Sequence, residues 1–91
     1  MRKIEQQMNA AIANRRSATI GNTSVNVGTN NAAVLLHGNL IAIVNLDTRE
    51  ATVEISTLCR WDTPTTKSRL RALGVNVYTR KGQTYVNGQP I

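Results

Sequence analysis

Ala33-Val34-Leu35-Leu36-His37-Gly38-Asn39-Leu40-Ile41-Ala42-Ile43-Val44-Asn45 is the stretch on which the reading of the fold turns. Two apolar runs of strand length flank a polar break, with Gly38-Asn39 as a tight connection. Both runs, Ala33 to His37 and Leu40 to Asn45, are apolar on successive residues, which predicts central strands covered on both sides. Upstream, Val25 and Val27 alternate with Ser24 and Asn26, and Gly28-Thr29-Asn30-Asn31 supplies a turn. Downstream, Asp47-Thr48-Arg49-Glu50 turns the chain, and Ala51, Val53 and Ile55 alternate with Thr52, Glu54 and Ser56 as in a half-buried strand. Residues 23–56 thus read as an antiparallel meander of three or four strands.

Helical spacing brackets this meander. Ile4, Met8, Ala11 and Ile12 recur at intervals of three and four, predicting an amphipathic helix over about 3–15 with Arg15 and Arg16 in its last turn. Ser17 to Asn22 reads as an irregular link. After the meander, Leu58-Cys59-Arg60-Trp61 leaves the sheet. Thr63 is placed to cap a second helix, over about 64–73, with Pro64 at its first position. Leu70 and Leu73 face inward, and Gly74 provides a left-handed stop. Val75 to Arg80 and Gln83 to Val86 form a hairpin across Lys81-Gly82, within about 75–87, and Asn87-Gly88 turns into a short tail. The expected architecture is α+β: one small domain over 1–91, in the order α-β-β-β-β-α-β-β.

A chain of 91 residues, 41% hydrophobic and without Phe, has to build an aliphatic core. Eleven Lys and Arg against five Asp and Glu leave a net charge of +6, which favours nucleic acid or an acidic protein face as partner. The single cysteine, Cys59, cannot form an intramolecular disulfide, so a reducing cytosolic setting is expected. No run approaches the roughly 20 apolar residues of a membrane span. Polar Glu5, Gln6 and Gln7 follow Met1-Arg2-Lys3 where a secretory signal would be apolar. Neither secretion nor a membrane partner is expected.

Catalysis has little to stand on. One His and one Cys cannot supply a structural zinc site, and no cofactor-cradling glycine loop is present. His37 is expected to be a turn residue and Cys59 an inert, half-buried thiol. Asp47 and Glu50 belong to a turn, Glu54 to an exposed strand face and Asp62 to a helix entrance, so no carboxylate pair is indicated. The chain is expected to be a binding protein, not an enzyme, and to need no metal.

The informative segment is Arg60 to Lys81. Arg60, Lys67, Arg69, Arg71, Arg80 and Lys81 stand there against the single acid Asp62. Lys67 and Arg71, four apart, share a helix face, while Arg69 points elsewhere. Thr63, Thr65 and Thr66 bring hydroxyls to a helix N-terminus with Lys67 beside it, which is expected to suit a phosphate. Trp61 and Tyr78 can stack on bases. The plainer alternatives are that Thr63 only caps and that Arg69 and Arg71 only complement the helix dipole. Trp61 is expected to plug the gap between helix and sheet in preference to lying exposed.

The runs Leu36-His37-Gly38-Asn39-Leu40-Ile41-Ala42 and Trp61-Asp62-Thr63-Pro64-Thr65-Thr66-Lys67-Ser68-Arg69-Leu70-Arg71-Ala72-Leu73 resemble a group of small uncharacterised bacteriophage proteins, a domain of unknown function. The resemblance implies viral origin and action in the host cytoplasm, and carries no activity or functional residues with it. The leading expectation is a basic phage accessory protein that binds nucleic acid mainly through phosphates. The alternatives are a host-takeover or anti-defence protein that binds and inhibits an acidic host protein, and a minor virion component. An exposed strand edge would also permit a homodimer.

Overall fold

The His37-Gly38 pair, one residue earlier than the expected Gly38-Asn39, turns the central hairpin in the computed structural model, which describes residues 1–91. Both turn residues have positive φ, +52° and +79°, as the tight hairpin turn that matches strand twist demands. The strands it joins are β3 (Asn31–Leu36) and β4 (Asn39–Asn45). The remaining elements are α1 (Lys3–Ala13), β1 (Ala18–Ile20), β2 (Thr23–Val27), β5 (Ala51–Val53), α2 (Ile55–Arg60), α3 (Pro64–Ala72), β6 (Val77–Arg80), β7 (Gln83–Val86) and β8 (Gln89–Pro90). The architecture is α+β. Five antiparallel strands lie in chain order, β1-β2-β3-β4-β5, and a second sheet holds β6-β7-β8.

One face of the large sheet is covered, where the sequence suggested two. Val25, Val34 and Ala42 line the covered face, while Ala33, Leu35 and Leu40 are only half-buried and Ile43 is exposed. The three helices supply too little surface to sheathe both sides. A register shift opposite Val34 and Leu35 inserts one extra residue into β4, so Ile41 and Ala42 are both buried in succession. The run that looked two-sided is therefore partly a bulge.

Met8, Ala11 and Ile12 of α1 pack over β1 and β2, and α2 and α3 pack against β4. These residues join Leu58, Leu70, Val77 and Val86 in one core cluster without an aromatic ring. Each fully buried aliphatic side chain contributes about 1.5–3 kcal/mol. Helix α1 stops at Ala13, earlier than expected, so Arg15 and Arg16 lie beyond its last turn. Arg15 takes the left-handed position (φ +50°), with Arg16 N–H donating to Ala11 O and Arg15 N–H to Ile12 O. Gly74 plays the same part after α3, as the sequence predicts.

Three short elements lie outside the expected order. Strand β1 pairs with β2 across Gly21-Asn22, and β8 returns along β7 across Asn87-Gly88. Helix α2 replaces the last part of a predicted strand. Strand β5 ends at Val53, where the bulge ends its pairing with β4, and Glu54 N–H donates instead to Ile41 O. The chain then coils, which brings Leu58 to 1% exposure in the core.

Candidate functional site

Helix α3 organises the segment that carries most of the charge. Thr63 caps it, its hydroxyl accepting from Thr66 N–H at 3.1 Å, and Pro64 follows at the first helical position. Thr66 is buried, and its hydroxyl is shared with that of Thr63 at 3.0 Å. Thr66 therefore holds the helix entrance together. Thr65 lies beside it, partly open to solvent.

The expected face centred on Lys67 and Arg71 exists, but β6 lies against it. Lys67 Nζ pairs with Asp62 Oδ1 at 2.8 Å and donates to Thr79 Oγ1 at 2.8 Å. Arg71 Nε donates to Val77 O at 2.8 Å, satisfying a carbonyl on the free edge of the small sheet. Hydrogen bonds from Lys67 and from Thr84, outweighing partial burial, hold the Asp62 carboxyl below its usual range. The phosphate site imagined at this helix N-terminus thus finds its lysine already neutralised by a carboxylate.

Arg69 goes further and enters the interior, 3% exposed. Its Nη1 donates to Glu5 Oε2 at 2.7 Å, its Nε to Thr23 Oγ1 at 3.0 Å and its Nη2 to Asn22 Oδ1 at 3.3 Å. Ser68 Oγ adds a 2.6 Å bond to the same Glu5 oxygen. Burial alone would raise the Glu5 carboxyl; the bonds from Ser68, Arg69 and the Arg2 amide, with the Arg69 charge, outweigh it and hold it low. This network ties α1 to the β1–β2 turn and to α3. Arg69 is a structural residue, not a surface cation.

Arg60, Arg71, Arg80 and Lys81 remain exposed and have no carboxylate within ion-pair distance. Arg80 and Lys81 stand at the tip of the β6–β7 hairpin. Tyr78 stacks on its cross-strand partner Tyr85, ring centroids 5.1 Å apart and planes 12° from parallel. Trp61 is 41% exposed, contrary to the expectation of a buried plug. The core closes with aliphatic side chains alone and leaves the indole outside. The Arg60 guanidinium lies over its ring, 5.3 Å from the centroid. Cys59, expected half-buried, is exposed.

Between the His37-Gly38 turn and the entrance to α3 runs a groove of about 380 Å³. Buried Leu36 and Ile41 form its floor; His37 and Asn39 line the hairpin side, Thr57 and Trp61 the α2 side, and Thr63, Thr65 and Thr66 the α3 side. No charged side chain lines it. Trp61 and Thr57 also line a smaller cleft of about 110 Å³, together with Ser56 and Arg60, so the indole stands between the two. Sequence reasoning found Trp61, Thr65 and Thr66 but missed the hairpin side. His37 and Asn39 meet them only because α2 folds the chain back, and the sequence shows no helix there: Ile55 and Ser56 continue a strand pattern and Leu58 to Trp61 read as an irregular exit from the sheet. No three His, Cys, Asp or Glu side chains come together anywhere in the chain.

The family model described as Kyanoviridae Gp96 protein matches residues 1–91. No curated protein and no solved structure gives a significant match. No helix is long and apolar enough to cross a membrane.

Proposed function

The chain belongs to the Kyanoviridae Gp96 family of bacteriophage proteins, and from that premise we propose that it is a non-enzymatic accessory protein that binds nucleic acid in the host cytoplasm, chiefly through phosphates. The observation that carries this reading is the set of exposed cations Arg60, Arg71, Arg80 and Lys81, none of them held by a carboxylate. Cations left unpaired in this way are free to displace the counterions of a polyanion, whereas Lys67 and Arg69 are already committed within the fold. Stacked Tyr78 and Tyr85 lie in the same hairpin as Arg80 and Lys81, a combination suited to single-stranded ligands.

Fluorescence anisotropy with a labelled oligonucleotide tests the proposal. Affinity is expected to fall with salt, its logarithmic slope gaining about −0.7 to −0.9 per phosphate contact. The triple variant Arg60→Glu, Arg80→Glu, Lys81→Glu is expected to lose at least about 100-fold in affinity at low salt, from three lost contacts with reversed charge. Salt-independent binding, or a triple variant that binds as the parent does, overturns the reading.

A second reading, inhibition of a host protein, draws on the exposure of Ile55 and Trp61 at the two ends of α2, beside Arg60. Trp and Arg are the residue types that anchor protein interfaces. A host protein that stays bound after nuclease treatment and is released by Trp61→Ala would favour it over nucleic acid.

A further inference from the structure

Trp61 is the chain's only tryptophan, and the fold leaves it 41% exposed when the core had room for aliphatic side chains alone. Its indole separates two clefts. Arg60, which lies over the ring, lines the smaller one and not the groove. The groove has an apolar floor and a neutral rim, with His37, Asn39 and Thr65 able to donate or accept hydrogen bonds. At about 380 Å³ it falls within the range of small-ligand sites, about 300–1,000 Å³. A neutral, walled, partly apolar slot suits a planar polar ring and would desolvate a phosphate at a loss. The charge lies just outside, on the guanidinium of Arg60.

That division of labour, ring inside and anion outside, is the chemistry of one nucleotide. Resting on the nucleic-acid reading, we infer that the groove beside Trp61 receives one unpaired base of a single strand, with Arg60 meeting an adjacent phosphate. Single-stranded nucleic acid is then the preferred ligand, because a duplex keeps its base faces inside the stack. Recognition is tolerant of sequence, since every base offers a π-face. Helix α3 contributes a wall and not an anion site: its entrance carries the Asp62 carboxylate, and Pro64 has no N–H to offer.

Trp61 fluorescence reads the test directly. The full chain is titrated with an oligothymidine of about 15 nucleotides, within the span of common single-strand sites, and with a duplex of the same length at the same salt. The single strand is expected to quench Trp61 and to bind at least about tenfold more tightly, since stacking contributes a factor of about 5 to 150 per base. Trp61→Ala, followed by anisotropy, is expected to remove at least about fivefold of the single-strand preference, the share of one stacked base. Trp61→Phe, which keeps an aromatic face, is expected to restore part of the difference, and circular dichroism confirms that both variants fold. Equal binding of both forms with unquenched Trp61, or a preference undiminished by Trp61→Ala, overturns the base site while leaving the phosphate reading in place. Binding of neither form overturns both.

Discussion

Lys81 occupies a backbone conformation that suits Asn or Gly better. Its φ of +52° lies in the left-handed region, and Gly82 follows at +78°. The next hairpin uses Asn87-Gly88 in the same geometry, φ +52° and +82°, with the preferred residue in the first place. An ordinary L-residue there costs about 1–2 kcal/mol, so a lysine at this tip is held at the expense of stability. Lys81→Asn is expected to raise unfolding free energy by about 0.5–1 kcal/mol in urea and to make the salt slope of oligonucleotide binding shallower by about 1. A variant no more stable than the parent removes the argument for strain; an unchanged slope removes Lys81 from the phosphate contacts.

Glu5, on α1, and Arg69, on α3, join elements 64 residues apart in the chain through a 2.7 Å ion pair buried on both sides. Arg69→Met leaves the Glu5 carboxylate buried with fewer partners and is expected to cost about 3–5 kcal/mol. Glu5→Leu in the same background is expected to return much of that loss, because an apolar pair needs no desolvation of charge. If urea denaturation of the four members of the cycle gives additive effects, the two residues are not coupled. The same pair marks where the sequence was hard to read. Helix α3, the central hairpin and the Lys81-Gly82 turn carry local signals: a cap, a Pro at the first position, X-Gly turns. Strands β1 and β8 are too short to show a period, though Gly21-Asn22 and Asn87-Gly88 announce their turns. Helix α2 is different in kind, since Ala51, Val53 and Ile55 continue a strand pattern and only the need to bury Leu58 decides for a helix. The candidate site inherits this. Its α3 wall is legible in the sequence, its hairpin wall depends on α2, and nothing in the spacing of Lys67, Arg69 and Arg71 says which cation a carboxylate will claim.

For the whole molecule, acid is the sensitive direction. The folded values of Glu5 and Asp62 are both depressed, so each contributes stability that is fully present above the unfolded carboxylate range, about 4. That stability is lost as pH falls through the lower folded values. The chain also gains positive charge over the same interval, adding self-repulsion to a net +6. The urea midpoint is expected to stay level from about pH 8 to 5 and to drop below about pH 4, with a smaller drop in Glu5→Gln. A midpoint as high at pH 3 as at pH 7 would show that neither carboxylate matters to the fold. The meander has its own consequence for how the chain is made. Because the strands of the large sheet pair in chain order, each one leaving the ribosome finds its neighbour already synthesised. Glu5 is made early and satisfied late: Arg69 emerges 64 residues afterwards, so α1, which can settle on β1 and β2 as soon as they form, gains its tie to α3 only late in synthesis.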